Sequence, residues 1–530
     1  MKSSTTQFPQ AHHPLPRQFS RPALDLATPH IALLFVVCMA MVAVPILTHP
    51  IPPLSDYANH LSRMHIIATG AADPDLNRYY AVEWAVLPNL MMDLVVPVIE
   101  RFTSVYVAGE IYTLACFALI AFGTLALNRA LFGRWSAVPL LAFPLVYNSV
   151  FLIGVMNYVF GIGLALLALA AWVMLRNSIW RYPVSMLFVI ALFFCHLVSV
   201  GIYGIGLLSY EIYVLIRARS APLGPRLLPF VAAGLPFLPV LPLLMVSPTW
   251  RLTGENFWEP RGKIDGIEFV INVYYDDVAF ALTAIVVVAA VWAMRHRLMR
   301  FHAVLWPLLI VSGAVYLAMP RTVFATYMAD QRLPVAIAFM VIATIQVDLR
   351  HRLVRQTFPV LLLVLLGIRV TEVQLVWDHL SRWTSSFQES VSKIERGARI
   401  LVVYADPGGG ADMTDLGLMH AASLATIEKS ALVPTTFTVA GKQILRVRKP
   451  YRDFVDTEDG TPPTLEQMLL TEDEASPDGP RYWDLWPKHF DYVYLLFTEP
   501  GDLNPDPDRL QLVHAGSRFQ LYRIVKPASG

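Results

Sequence analysis

Long apolar runs alternate with short polar stretches along most of this chain. The runs lie at about 30–48, 103–127, 135–152, 155–175, 183–196, 197–216, 227–247, 277–294, 303–319, 333–349 and 357–375. Most approach the roughly 20 residues that an α-helix needs to cross a bilayer core, so the pattern predicts about eleven transmembrane helices. The stretch 183–216 is too long for one upright helix and short for two, and the expected break is His196. After residue 376 the pattern changes. RILVVYAD at 399–406 and FDYVYLLF at 490–497 read as strands, LQLVHAG and RFQLYRIV at 510–516 and 518–525 as a hairpin, and 414–430 as helical. Asp- and Pro-rich loops such as GDLNPDPD separate them. The predicted fold class is an α-helical polytopic membrane protein with a small α/β extramembrane domain at its C-terminal end. The expected divisions are a disordered tail over 1–28, a transmembrane domain over 29–375 with a large first outer loop at 49–102, and the α/β domain over 376–530.

Charge tests this arrangement, because Lys and Arg concentrate in cytoplasmic loops. With the tail (Lys2, Arg17, Arg21) inside, the inner loops carry Arg129 and Arg134, then Arg176 and Arg181, then Arg217, Arg219 and Arg226. The later ones carry Arg295, Arg297 and Arg300, and Arg350, Arg352 and Arg355. The first outer loop holds Asp73, Asp75 and Glu83. The alternation predicts an odd number of spans, a cytoplasmic N-terminus and an outer C-terminal domain. The loops at 52–61, 248–276 and 320–332 then share the outer face with that domain.

Composition agrees. The 530 residues are 55% hydrophobic and 15% charged, with a mean hydropathy of +0.51, values that exclude an ordinary soluble protein. A net charge of +1 gives no global electrostatic case for a nucleic-acid partner. Cys38, Cys116 and Cys195 all lie in apolar runs and read as small hydrophobes, with no disulfide framework or zinc site expected.

The stretch PPLSDYANHL, 52–61, puts Asp56, Asn59 and His60, and soon Arg63, where the chain should enter water. With Ser55 as cap, a helix over 56–68 carries Asp56, His60 and Arg63 at i, i+4 and i+7 on one face, beside an apolar stripe of Tyr57, Leu61 and Met64. Such a helix is expected at the membrane surface, apolar side down. An ionised carboxylate there can take a proton from a sugar hydroxyl or help hold a divalent cation. The plainer alternative is that Asp56 caps the helix and pairs with His60. TYMADQRLP, 326–334, sets Tyr327, Asp330 and Arg332 at the outer end of a span, with Arg321 just before. The plainer reading of Arg321 and Arg332 is that they flank a helix and meet lipid headgroups, although Arg can also fork onto an anion. His196 is a functional candidate because ionisable groups at such depth are costly, unless its ring bonds a backbone carbonyl. Asp276 and Asp277 of YYDD either anchor a span or supply a second acid. Trp258 in ENFWEPRGK can stack on a sugar. Gly154 and the glycines of MNYVFGIG, which also carries Asn157, read as helix packing. PGGG at 407–410 reads as a flexible turn, and His12–His13 is too sparse for metal.

The first loop and its acidic juxtamembrane helix resemble the GT-C superfamily of glycosyltransferases, polytopic enzymes that use polyprenyl-phosphate-linked sugars on the outer or luminal side. PPLSDYANHL, a helix pair expected near 76–82 and 89–101, and TYMADQRLP carry the resemblance. Family members often have an acidic pair in this loop; here Tyr57 follows Asp56. The resemblance implies transfer of a sugar, with inversion, from a polyprenyl-phosphate carrier to a cell-envelope glycan, lipid or protein acceptor outside a bacterial-type inner membrane. It implies Asp56 as base or as ligand to a divalent cation, with His60 in support. Arg63, Arg321 and Arg332 would meet the donor phosphate, and Asn59, Tyr327, Asp330 and His196 the substrate. Membrane lipids are the expected surroundings. A transporter or flippase of a lipid-linked polar substrate is a second reading, opposed by mid-span regions nearly free of charge and by the lack of a clear repeat. A non-catalytic scaffold whose outer domain recruits a partner is the third.

Overall fold

A computed structural model describes residues 26–220, 222–252, 257–323, 326–455, 462–470 and 481–526. The predicted tail up to residue 25, with His12 and His13, lies outside the described residues. Helix α1 (Thr28–Thr48) ends where prolines at 50, 52 and 53 withdraw the next backbone donors. The first loop folds into α2 (Tyr57–Thr69), α3 (Pro74–Tyr79), strand β1 (Tyr80–Val82) and α4 (Met91–Glu100), and α5 (Val105–Phe132) follows. The apolar run 135–152 is not one helix. Pro139 and Pro144 interrupt it, leaving a 3-10 helix (Val138–Leu145) and the short α6 (Ser149–Ile153).

Helices α7 (Met156–Met174), α8 (Arg181–Cys195) and α9 (Leu197–Arg217) pack together, and the α8–α9 break falls on His196. The run 227–247 is divided at its prolines into α10 (Leu223–Ala232), a 3-10 turn and α11 (Val240–Val246). Then come α12 (Pro260–Glu268), α13 (Asp276–Arg295), α14 (Leu305–Ala318), α15 (Ala329–Ala343) and α16 (Arg352–Ser392). Strands β2 (Met299–Phe301) and β3 (Ile345–Val347) pair antiparallel beyond the C-terminal end of α15. Among the described residues, seven helical stretches are long and apolar enough to cross a membrane by length and composition, and α8 and α14 are shorter apolar helices. Phe280 and Val288 of α13 and Trp306 and Ile310 of α14 are exposed. That apolar surface is what lipid contact requires and what water would penalise.

Helix α16 spans 41 residues, about 60 Å, roughly twice a bilayer core. Its first part is apolar; its last turns enter the C-terminal domain. There β4 (Ile400–Tyr404), β6 (Tyr492–Leu496), β7 (Leu510–Ala515) and β8 (Phe519–Ile524) form a sheet in the order β4-β6-β8-β7. The β4–β6 pair is parallel and the others antiparallel. Alternate residues serve two cores. Tyr494 stacks on Phe387 of α16 with ring centres 4.6 Å apart, while Leu401, Val403, Val493 and Leu495 pack with Trp486. The expected helix at 414–430 is divided into α17 (Leu416–Met419), a 3-10 turn and α18 (Leu424–Lys429).

The first loop and the C-terminal region are sewn together. The helix expected over 76–82 stops at Tyr79, and β1 pairs antiparallel with β5 (Leu445–Val447), Tyr80 opposite Val447. Arg396 pairs with Asp73 at 2.6 Å, and the Tyr79 hydroxyl donates to the Gly397 carbonyl at 2.5 Å. Helix α2 therefore does not lie at a membrane surface with its polar side in water. It is an interior helix, with Asn59, His60, Ser62 and Arg63 all buried, packed between α4, α5 and the C-terminal domain. Asn59, Ser62 and Arg63 survive burial because they are paired. Arg63 forks onto Asp93 of α4, Nε to Oδ1 at 3.0 Å and Nη2 to Oδ2 at 2.9 Å, with both side chains almost fully buried.

Breaking such a pair strands a charge and costs about 3–5 kcal/mol, whereas replacing both partners by apolar groups costs far less. Arg63→Ala should therefore lower the thermal unfolding midpoint of the detergent-purified protein sharply, and the Arg63→Leu, Asp93→Leu double variant should recover most of the loss. Equal midpoints for wild type and Arg63→Ala would show that the pair does not hold the loop.

Candidate functional site

A cavity of about 630 Å³ opens where the first loop, the starts of α7, α9 and α15, and the C-terminal domain meet. Asp56 and His60 line it from the first loop, Tyr158 and His196 from the helices, Tyr327 and Arg332 from the 326–332 segment, and His420 and Lys442 from the C-terminal domain. A smaller pocket of about 80 Å³ shares Asn89, His196, Thr326, Lys442 and Gln443 with it.

Asp56 is placed by backbone contacts. Its N–H donates to the Ile153 carbonyl at 3.1 Å, and that of Ser55 to Leu152 at 3.0 Å. The close approach depends on Gly154, which ends α6 at φ +87°; a Cβ there would lie 2.9 Å from the Asp56 nitrogen. Asp56 precedes α2 but its carboxylate makes no capping bond, so the plainer capping role is not the one it plays. About a quarter of its side chain stays open. Burial raises its pKa to about 6, against the opposing pull of Arg332 and then Arg63. His420 Nε2 lies 3.7 Å from Asp56 Oδ1.

Burial, then Arg63 and His420, hold His60 well below the usual imidazole range. Its Nδ1 is sealed and has no partner. Burial lowers His420 to about 4. Both rings are thus neutral near pH 7, and each meets Phe437 edge-on. Among the described residues His196 bonds no carbonyl; its Nδ1 accepts the Val198 N–H at 3.1 Å and caps α9. In the neutral ring the proton then sits on Nε2. Asn157 receives the Met92 N–H and donates to Asn89, fixing one wall of the cavity.

Among the described residues Arg332 makes one hydrogen bond, Nη2 to the Tyr327 carbonyl at 3.0 Å, and it lies over the Tyr158 ring. Among the described residues, neither it nor Lys442 has a carboxylate at ion-pair distance. One guanidinium and one ammonium head thus line the cavity without a carboxylate partner among the described residues. The remaining expected residues are engaged elsewhere. Arg63 is locked on Asp93 and Arg321 sits between Asp330 and Glu259, so neither lines the cavity. Asp330 is buried and pairs with Lys263 at 2.8 Å, tying α15 to α12. Asn59 is fully buried and bonded to the C-terminal domain. Asp276, bonded to Asn272, and Asp277 are at the start of α13 and do not line the cavity; nor does Trp258, whose Nε1 donates to the Leu317 carbonyl. Gly410 of the PGGG turn does reach the wall.

His420 and Lys442 were not singled out by sequence reasoning. Each is a lone residue in a loop of the distant domain, about 360 and 390 residues from Asp56, and neither sits in a recognisable motif. No group of three or more His, Cys, Asp or Glu side chains among the described residues could hold a metal ion. Asp56 is the one carboxylate among the residues that line the cavity, fewer acidic oxygen donors than Mg²⁺ or Ca²⁺ usually takes.

No family model matches the chain, and no curated protein does. The chain is similar to the crystal structure of ArnT from Cupriavidus metallidurans bound to undecaprenyl phosphate, at 12% identity and a TM-score of 0.48, over 95% of this chain and 99% of that one.

The raised pKa of Asp56 carries a sign that can be measured. Its folded-state pKa exceeds its unfolded one, so the folded state binds the extra proton, and burial costs stability as pH rises from about 4 to about 6. Asp56→Asn removes that cost. Its unfolding midpoint should match wild type near pH 4, exceed it increasingly up to about pH 6, and keep a constant lead above. A lead that is constant at every pH would contradict the buried, titrating carboxylate.

Proposed function

We propose that this chain is a membrane glycosyltransferase that moves a sugar from a polyprenyl-phosphate carrier to an acceptor presented at the outer face of the membrane. One observation carries the reading: a single cavity holds a carboxylate whose pKa burial raises to about 6, together with Arg332 and Lys442, cations that have no carboxylate at ion-pair distance among the described residues. The carboxylate suits a general base, whose pKa works best near the operating pH. The cations suit a phosphate. In the transfer, the acceptor oxygen attacks the anomeric carbon and Asp56 takes the acceptor's proton. The bond from that carbon to the carrier phosphate oxygen breaks, and the oxygen keeps the electron pair. Negative charge grows on the leaving phosphate, so Arg332 and Lys442 stabilise the transition state more than the bound donor. Attack from the face opposite the phosphate inverts the anomeric centre.

The proposal keeps the N-terminus cytoplasmic and the C-terminal domain on the outer face, the sidedness that the Arg-rich loops favour. His196 and Tyr327 would border the substrate, and His60 would support Asp56. Arg63 acts at a distance, through its charge on Asp56 and its hold on α4.

Asp56→Asn keeps the shape of the side chain but cannot accept the proton. Sugar transfer in proteoliposomes should fall by about 10²–10⁴-fold. Near-normal transfer would remove Asp56 as base. On the donor side, Arg332→Ala and Lys442→Ala should each weaken binding of a polyprenyl phosphate by roughly tenfold or more, with Arg332→Lys recovering part because a point charge loses the fork. Wild-type binding by both alanine variants would overturn the phosphate assignment.

A further inference from the structure

The C-terminal domain supplies one more group to this site. Three hydrogen bonds determine its protonation. The Phe437 N–H donates to Asn59 Oδ1 at 2.9 Å, which identifies the oxygen end of that amide. The other end, Nδ2, donates to the Thr435 carbonyl at 2.8 Å and faces His420 Nδ1 at 3.2 Å. An amide nitrogen only donates, so His420 Nδ1 accepts and carries no proton. The neutral ring therefore bears its proton on Nε2, the nitrogen that faces Asp56 Oδ1 at 3.7 Å. That separation is too long for a direct hydrogen bond, yet an oxygen about 2.8 Å from each atom fits between them.

We propose that the acceptor's nucleophilic hydroxyl docks between Asp56 Oδ1 and His420 Nε2, donating to the carboxylate and accepting from the imidazole, with Asn59 as the positioning residue that fixes the imidazole's tautomer. The inference rests on the glycosyl-transfer reading above and deepens it. One partner accepts only and the other donates only, so the gap selects a group that does both. A hydroxyl meets this demand. A primary ammonium has no lone pair for the Nε2–H, and a phosphate dianion would be repelled by the carboxylate. The acceptor class is therefore an alcohol, such as a sugar hydroxyl or a Ser or Thr side chain. During transfer the hydroxyl proton passes to Asp56 Oδ1 as the oxygen bonds to the anomeric carbon. The Nε2–H keeps hold of that oxygen and fixes its lone pair towards the carbon.

Two measurements on the full chain test this. Ring-nitrogen NMR of ¹⁵N-histidine-labelled protein should report His420 as the Nε2–H tautomer, and Asn59→Leu should shift it to a mixture. A wild-type ring protonated on Nδ1 would overturn the proposal. In proteoliposomes given a polyprenyl-phosphate sugar and a simple glycoside acceptor, His420→Leu should raise the acceptor KM and lower kcat, together by about 10–100-fold, and leave the donor KM unchanged. His420→Gln, which keeps an N–H donor, should recover most of that loss. The amino analogue of the glycoside should be a poor acceptor in wild type. If Asp56→Asn abolishes transfer but His420→Leu keeps the wild-type acceptor KM and kcat, the docking proposal fails and the glycosyl-transfer reading stands. If Asp56→Asn transfers normally, the reading itself fails.

Discussion

A polar helix face buried in an apolar interior must be paired group by group, and this requirement organises the molecule. Helix α2 carries an asparagine, a histidine and an arginine inward. The arginine is answered by Asp93 from the same loop. The asparagine is answered by backbone groups of Thr435 and Phe437, almost 380 positions further along. Leaving either unanswered would cost several kcal/mol. The C-terminal domain thus fits against the first loop as its missing half. The β1–β5 pairing and the Asp73–Arg396 contact close the same seam. Helix α16, rising continuously from the membrane part into the sheet, sets the domain at the height where it can do this.

The cavity is where this pairing stops. Around it, Asp56, Arg332 and Lys442 keep capacity that the described residues do not use. Buried groups without partners are expensive, and they persist where a ligand supplies the missing contacts. The two kinds of unused capacity are complementary to the two halves of a transfer reaction: a carboxylate for a proton, and cations for a leaving phosphate. Gly154 marks how tightly the first of these is placed, since it is the lack of a side chain there that lets the Asp56 backbone approach.

The individual elements were legible locally. Short continuous apolar runs revealed β4 and β6, a second pair of runs the β7–β8 hairpin, and length together with the alternation of basic loops the break at His196. Asp56 and His60 were found because helical spacing puts i and i+4 on one face. What was not legible depended on distant partners. Amphipathicity could not tell a helix facing lipid headgroups from one facing a second domain, so α2 was expected at a surface. Arg63, Arg321 and Asp330 looked available because the partners that occupy them, Asp93, Glu259 and Lys263, come from other elements. His420 and Lys442 gave no local signal at all. In the runs 135–152 and 227–247, hydropathy outweighed the prolines that interrupt the helix.

The proposed transfer requires that the seam between the first loop and the C-terminal domain receive a lipid phosphate. An experimental structure of the full chain with a polyprenyl-phosphate analogue tests it most directly. The phosphate should lie in the cavity, in contact with Arg332 and Lys442 and on the same side as Asp56. A lipid threaded between helices at mid-membrane depth, with the cavity beside Asp56 left empty, would contradict it and favour transport.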